Sequence, residues 1–146
     1  MIFNKVVRTP VCNGIQRGDH VRVARGLYWH HAVAIDGEWL VEFGSGIWGG
    51  VARYVHRSDF SRGSTIAVVP HPVRFSPDES VCRAISQLGR NDFDLLTRNC
   101  EHFANWCVTG KWESWQIQSF TALAAVAVLL LAGSKAGKWA MPVLAR

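Results

Sequence analysis

The chain has no CxxC pair, although four cysteines, Cys12, Cys82, Cys100 and Cys107, are spread along its 146 residues. That excludes the usual structural zinc patterns, and Cys100, His102 and Cys107 have no familiar ligand spacing among themselves. Residues 1–10 carry Lys5 and Arg8 without an apolar run behind them, so no secretory leader is read there. The cysteines are therefore expected to be reduced thiols of an intracellular protein. The formal charge is +5, but the arginines from Arg22 to Arg98 form no dense run and match no nucleic-acid motif. This argues against a nucleic-acid partner and leaves a solvated basic surface or attraction to anionic lipid headgroups. Internal repeats and low-complexity segments are also lacking, and the length suits one domain with its own core.

Within that frame, strand signals come first. Val21 and Val23 alternate after Gly18-Asp19, and Gly26 breaks the run. Residues 29–35 and 39–43 read as a hairpin about Asp36-Gly37. A glycine-rich loop over residues 44–50 is expected to border a cleft. Two further strands are expected, over residues 51–55 and 65–69, with a polar stretch between them. Ser76-Pro77-Asp78-Glu79 is a helix start, with Ser76 as cap, Pro77 in the first turn and Glu79 completing a capping box. A second helix is expected from about Asn99 to Thr109, stopped by Gly110.

The tail differs in kind. Residues 120–133 are apolar or small apart from Thr121, about 21 Å as a helix. Starting at Trp115 brings the segment close to the roughly 20 residues a span needs. Trp112, Trp115, Lys135, Lys138 and Trp139 are interface-type flanks, and an apolar patch follows over residues 139–144. We therefore expect a domain over residues 1–112 and a hydrophobic tail over residues 113–146, with residues 115–144 contacting a membrane surface either as a span or lying on it.

Cys100 stands at the start of the second helix, where the dipole and unpaired N–H groups favour thiolate. Cys82 and Cys107 read as packing residues. A cysteine nucleophile needs a base. His30 and His31 are neighbours on a strand and point to opposite faces. His31 shares its face with Val33 and Ile35; His30 shares its face with Ala32 and Ala34, whose small side chains would let a helix lie close, which favours His30. Glu42, on the return strand, either orients His30 or is an exposed strand carboxylate. His102 points away from Cys100 and reads as structural.

These residues resemble a known family. Residues 18–21, Gly-Asp-His-Val, with residues 27–33, Leu-Tyr-Trp-His-His-Ala-Val, are similar to the histidine box of lecithin:retinol acyltransferase (LRAT) domains. Residues 99–103 are that family's NCEHF box, complete, and the continuation over residues 104–110 looks most like bacterial members. The resemblance covers about residues 16–110. It implies an α+β fold of permuted papain-like type, a small antiparallel sheet packed on the cysteine helix, to which the apolar C-terminal helix is added. It implies Cys100 as nucleophile and His30 as general base and then acid, with no cofactor and no metal. It also implies acyl transfer from phospholipids, or their hydrolysis, through a thioester on Cys100. The family usually has a second histidine where this chain has Glu42. That substitution keeps open an LRAT-fold binding protein of weak catalytic power, and the papain-like ancestry allows a thiol amidase or peptidase. The acyl donor, the acceptor and the oligomeric state are not legible.

Overall fold

A computed structural model describes residues 14–44 and 50–136. The elements run β1 (His20–Arg25), β2 (Tyr28–Ala34), β3 (Trp39–Phe43), β4 (Ala52–His56), α1 (Arg57–Ser61), β5 (Ala67–Val68), α2 (Pro77–Ser86), α3 (Cys100–Thr109) and α4 (Trp115–Ala136). The five strands form one sheet in the order β4-β3-β2-β1-β5, with every pairing antiparallel. This is the α+β architecture expected. Strand β3 has the bounds expected, residues 39–43, and the valine alternation ended by Gly26 is β1. The stretch after β4 contains a short helix, α1, that periodicity did not reveal.

Local chemistry explains the turns. The Asp36 carboxylate accepts the N–H groups of Glu38 at 2.8 Å and Trp39 at 2.7 Å, closing the β2–β3 hairpin as an Asx turn. At the start of α2, Ser76 Oγ accepts the Glu79 N–H at 3.2 Å. Gly18 has φ +77°, and a Cβ there would lie 2.5 Å from Pro77 Cα. The loop entering β1 and the first turn of α2 touch backbone to backbone, which only glycine permits. Gly18→Ala is expected to cost about 2 kcal/mol, or roughly 8 °C in Tm by thermal unfolding. An unchanged Tm would mean that this close approach is not held.

The sheet is covered on both faces. One face joins Val33, Val41, Phe43 and Ala52 to Ala84 of α2 and to Phe103, Ala104, Cys107 and Val108 of α3. The other joins Val21, Val23, Ala32, Ala34, Leu40 and Val55 to Phe60 of α1. The cysteine helix thus lies on the Val33 face. The expected face, that of Ala32 and Ala34, is filled by Leu40 and Phe60 instead. The reason is volume: α3 brings Phe103 and Cys107, which interlock with β-branched partners, whereas the alanines make room for the Phe60 ring. Cys107 is buried as expected, but Cys82 is exposed on α2 and packs in no core.

The described residues divide into two compact units, the first ending at Ser114 and the second beginning at Trp115. The second contains α4. Its window Trp115–Ala132, with mean hydropathy 1.7, is long and apolar enough to cross a membrane. Leu123, Val128, Leu129, Leu130 and Leu131 are all exposed side chains. Residues 45–49 of the expected glycine-rich loop (residues 44–50) and the apolar patch at residues 139–144 lie outside the described residues.

Candidate active site

The NCEHF box is first a helix start. Asn99 is the N-cap of α3: its Oδ1 accepts the N–H groups of Glu101 at 3.0 Å and His102 at 3.1 Å. His102 Nδ1 accepts the Asn99 N–H at 3.4 Å, which closes a capping box with histidine in the role usually taken by Glu. Asn99 Nδ2 donates to the Leu95 carbonyl at 2.8 Å. Glu101 is buried and accepts the Ser114 hydroxyl at 2.5 Å. Phe103 is wholly buried in the core. Four of the five residues therefore hold the fifth, Cys100, in the first helical turn. The structural role expected for His102 is the one found.

The position of the thiol follows from the ladder. Gly18 N–H donates to the Ala34 carbonyl at 2.8 Å and Ala34 N–H to the Asp19 carbonyl at 2.9 Å, so even positions of β2 direct their backbone groups toward β1. Odd positions face β3, as Ile35 N–H does in donating to the Trp39 carbonyl at 2.8 Å. The β2–β3 register ends at Ala32↔Glu42. Beyond it, the Trp29 carbonyl and the His31 N–H point to a side that β3 no longer follows. Cys100 fills this gap: its Sγ is 3.9 Å from the Trp29 carbonyl oxygen, and the His31 N–H is directed at it. The sulfur stands at the edge of β2, between the two faces of the sheet.

This placement changes the electrostatics expected of the thiol. Burial pushes Cys100 up to about 12. The N–H groups of His31, Glu101 and Cys100 itself act in the opposite direction, and the Glu101 carboxylate adds to the rise. The helix-start thiolate expected from the dipole is therefore overturned. Desolvation exceeds what a few amides supply, and the resting group is a thiol.

His30 follows Trp29 on β2. Its Nε2 is 2.8 Å from Glu42 Oε2, both side chains being nearly inaccessible. Glu42 Oε1 accepts from Arg53 Nε at 2.9 Å, and Arg53 Nη2 lies 2.8 Å from the same oxygen. Burial works to raise the Glu42 carboxyl, but the His30 and Arg53 contacts outweigh it and hold the group below its ordinary range. With Nε2 engaged, His30 Nδ1 has no hydrogen-bond partner among the described residues. Phe60 packs against the ring with centroids 5.4 Å apart. Glu42 is thus the imidazole's partner, not an exposed strand carboxylate.

His31 belongs to a chain of imidazoles that sequence reasoning missed. His31 Nδ1 is 2.6 Å from His20 Nε2, and His20 Nδ1 is 2.8 Å from His71 Nε2. Burial is the first cause that brings His31 and His71 down to about 4, and it also holds His20 well below its ordinary range. Neighbouring Arg22 and Arg74 add to this, while Glu101 opposes it at His31. The nitrogens face one another in series and do not converge on one point. Among the described residues, no group of three or more His, Cys, Asp or Glu side chains has the arrangement of a metal site. A histidine alternating with valines on β1 was the one available signal for His20. Nothing local marks His71.

A helix-start thiol set against the edge of an antiparallel sheet, on the strand whose His30 is held by the buried Glu42 carboxylate, defines the class: a small α+β domain with its cysteine helix packed on the sheet. The family follows from the sequence profile of lecithin retinol acyltransferase, which matches residues 13–113 and so covers both histidine-bearing strands and all of α3. The chain belongs to the lecithin retinol acyltransferase family. A search of curated proteins returns no significant match.

Proposed function

We propose that the chain is a thiol-dependent acyltransferase or phospholipase that cleaves phospholipid acyl esters through a thioester on Cys100. The observation that carries this reading is a buried helix-start thiol set against the backbone of β2, the strand that bears His30, whose imidazole is held by Glu42. In the first half-reaction, His30 Nδ1 takes the Cys100 proton as sulfur attacks the ester carbonyl. The tetrahedral intermediate collapses with loss of the alkoxide, which takes the proton back from the His30 imidazolium and leaves as a lysophospholipid. In the second, His30 accepts a proton from water or from an acceptor hydroxyl or amine. That oxygen or nitrogen displaces Cys100, and the thiol is regenerated. Glu42 stabilises the imidazolium that forms in both halves, as the carboxylate does in a Ser-His-Asp site. The helix α4 anchors the domain at a bilayer and so brings the thiol to its substrate.

The test is direct. Incubation of the full chain with phosphatidylcholine is expected to give an acyl adduct seen by intact mass, absent from Cys100→Ala. Failure to trap any adduct, also with a thiol-reactive lipid analogue, would sink this reading. Trapping by a peptide-like electrophile instead would move the activity to amide bonds.

A further inference from the structure

A cavity of about 300 Å³ opens on the His30 face of the sheet. Its charged lining is Arg25, Arg53 and Arg62 with His30, Glu42 and Asp59. The negative charge of Glu42 is already divided, one oxygen to His30 and the other to Arg53. Asp59 accepts the Ser58 hydroxyl at 3.4 Å. Arg25 and Arg62 have no carboxylate partner among the described residues. Arg25 is held in place by the Phe60 carbonyl and by its stacking on the Phe60 ring at 5.9 Å. Arg62 is brought close enough to it that burial first, and then the Arg62 charge, makes the Arg25 proton easier to lose.

Two unpaired guanidiniums facing one cavity repel each other and are relieved by an anion. The backbone adds a second observation. Arg62 has φ 48°, the left-handed region, at the C-cap of α1. Glycine would take that position without strain, and one follows immediately as Gly63. Arg62 stands there at a conformational cost and lines the cavity.

We propose that this cavity is a binding site for a phosphate-class anion, clamped by Arg25 and Arg62 beside His30. A planar guanidinium pair matches the oxygens of a phosphate diester or monoester. As a subsite for the substrate's headgroup phosphate, the assignment rests on the phospholipid reading above. As an anion site it does not.

The full chain in a phosphate-free maltoside micelle is treated with phenylglyoxal, and arginine modification is followed by peptide mass. Near-saturating inorganic phosphate or glycerophosphocholine is expected to slow labelling of Arg25 and Arg62 about fivefold or more, with Arg98 unaffected. Protection by glycerophosphocholine alone assigns the site to a lipid headgroup; protection by both, or by phosphate alone, assigns it to free phosphate anions. Protection by neither, or equal slowing at Arg98, overturns the proposal. Arg62→Gln is expected to raise KM for phosphatidylcholine about tenfold with kcat unchanged. Should Cys100 take no acyl group while Arg25 and Arg62 remain protected, the anion site stands and the phospholipid substrate falls. Acylation without protection gives the reverse.

Discussion

Exchanging His30 for alanine is expected to lower the rate of Cys100 acylation by about a thousandfold, within the range that a positioned general base supplies. The size of the effect follows from the state of the thiol. With Cys100 pushed up to about 12, only about one sulfur in 10⁵ is ionised at pH 7, so a base must remove the proton as attack occurs. The variant carries its own signature. Without the imidazole the rate depends on the free thiolate, whose fraction rises about tenfold per pH unit anywhere below pH 12. Its activity should climb steeply between pH 7 and 9, while the parent protein changes far less. Acylation rates measured across that interval decide the matter. If His31→Ala shows the thousandfold loss and the alkaline rescue instead, the base lies on the other face of the sheet.

Mild acid is expected to destabilise the domain through its buried histidines. His31 and His71 are brought to about 4 in the folded chain, against an ordinary value of 6.5. A histidine depressed on folding is neutral in the native state and must gain a proton on unfolding. The unfolded chain therefore binds more protons between pH 6.5 and 4, and stability falls throughout that window as pH drops. Above pH 6.5 the contribution is complete, and below about pH 4 nothing more is lost from these groups. One such shift amounts to about 3 kcal/mol, and the two rings share His20 as a neighbour, so the effects are not simply additive. Thermal unfolding of the full chain in micelles at pH 7 and pH 4.5 should show a Tm lower by about 10 °C at the acid end. A flat profile would mean that the chain of imidazoles takes up protons without leaving its buried place.

What could be read from the sequence was set by how local each cause is. Strands β1 and β3 were legible to the residue, because Gly26 and the Asp36 side chain end them within a few positions. The cap of α3 was legible for the same reason. Helix α1 was not, since Arg57–Ser61 offers a single buried apolar side chain, Phe60, and no period. Alternation showed that His30 and His31 look to opposite faces, but not which face α3 would cover. That depends on how Phe103 and Cys107 fit Val33 and Val41, far away along the chain. The dipole argument for the Cys100 thiolate failed likewise: position at a helix start is local, whereas burial is a property of the whole fold. The contact between His20 and His71 crosses a separation of 51 residues and leaves no trace in either neighbourhood. The family resemblance reached further than any of these, because it joins two distant boxes at once.

The capping of α3 has a bearing on how relatives of this chain should be sorted. In the NCEHF string, asparagine, glutamate, histidine and phenylalanine specify architecture, through the contacts of Asn99, Glu101, His102 and Phe103, and the proposed chemistry rests on one letter. A homologue that keeps those four and carries alanine in place of the cysteine would fold as this chain does and transfer nothing. One that keeps the cysteine and loses the asparagine would be the reverse, a reactive side chain on a helix that no longer begins in the right place. As a search pattern, then, the box sorts folds well and enzymes poorly.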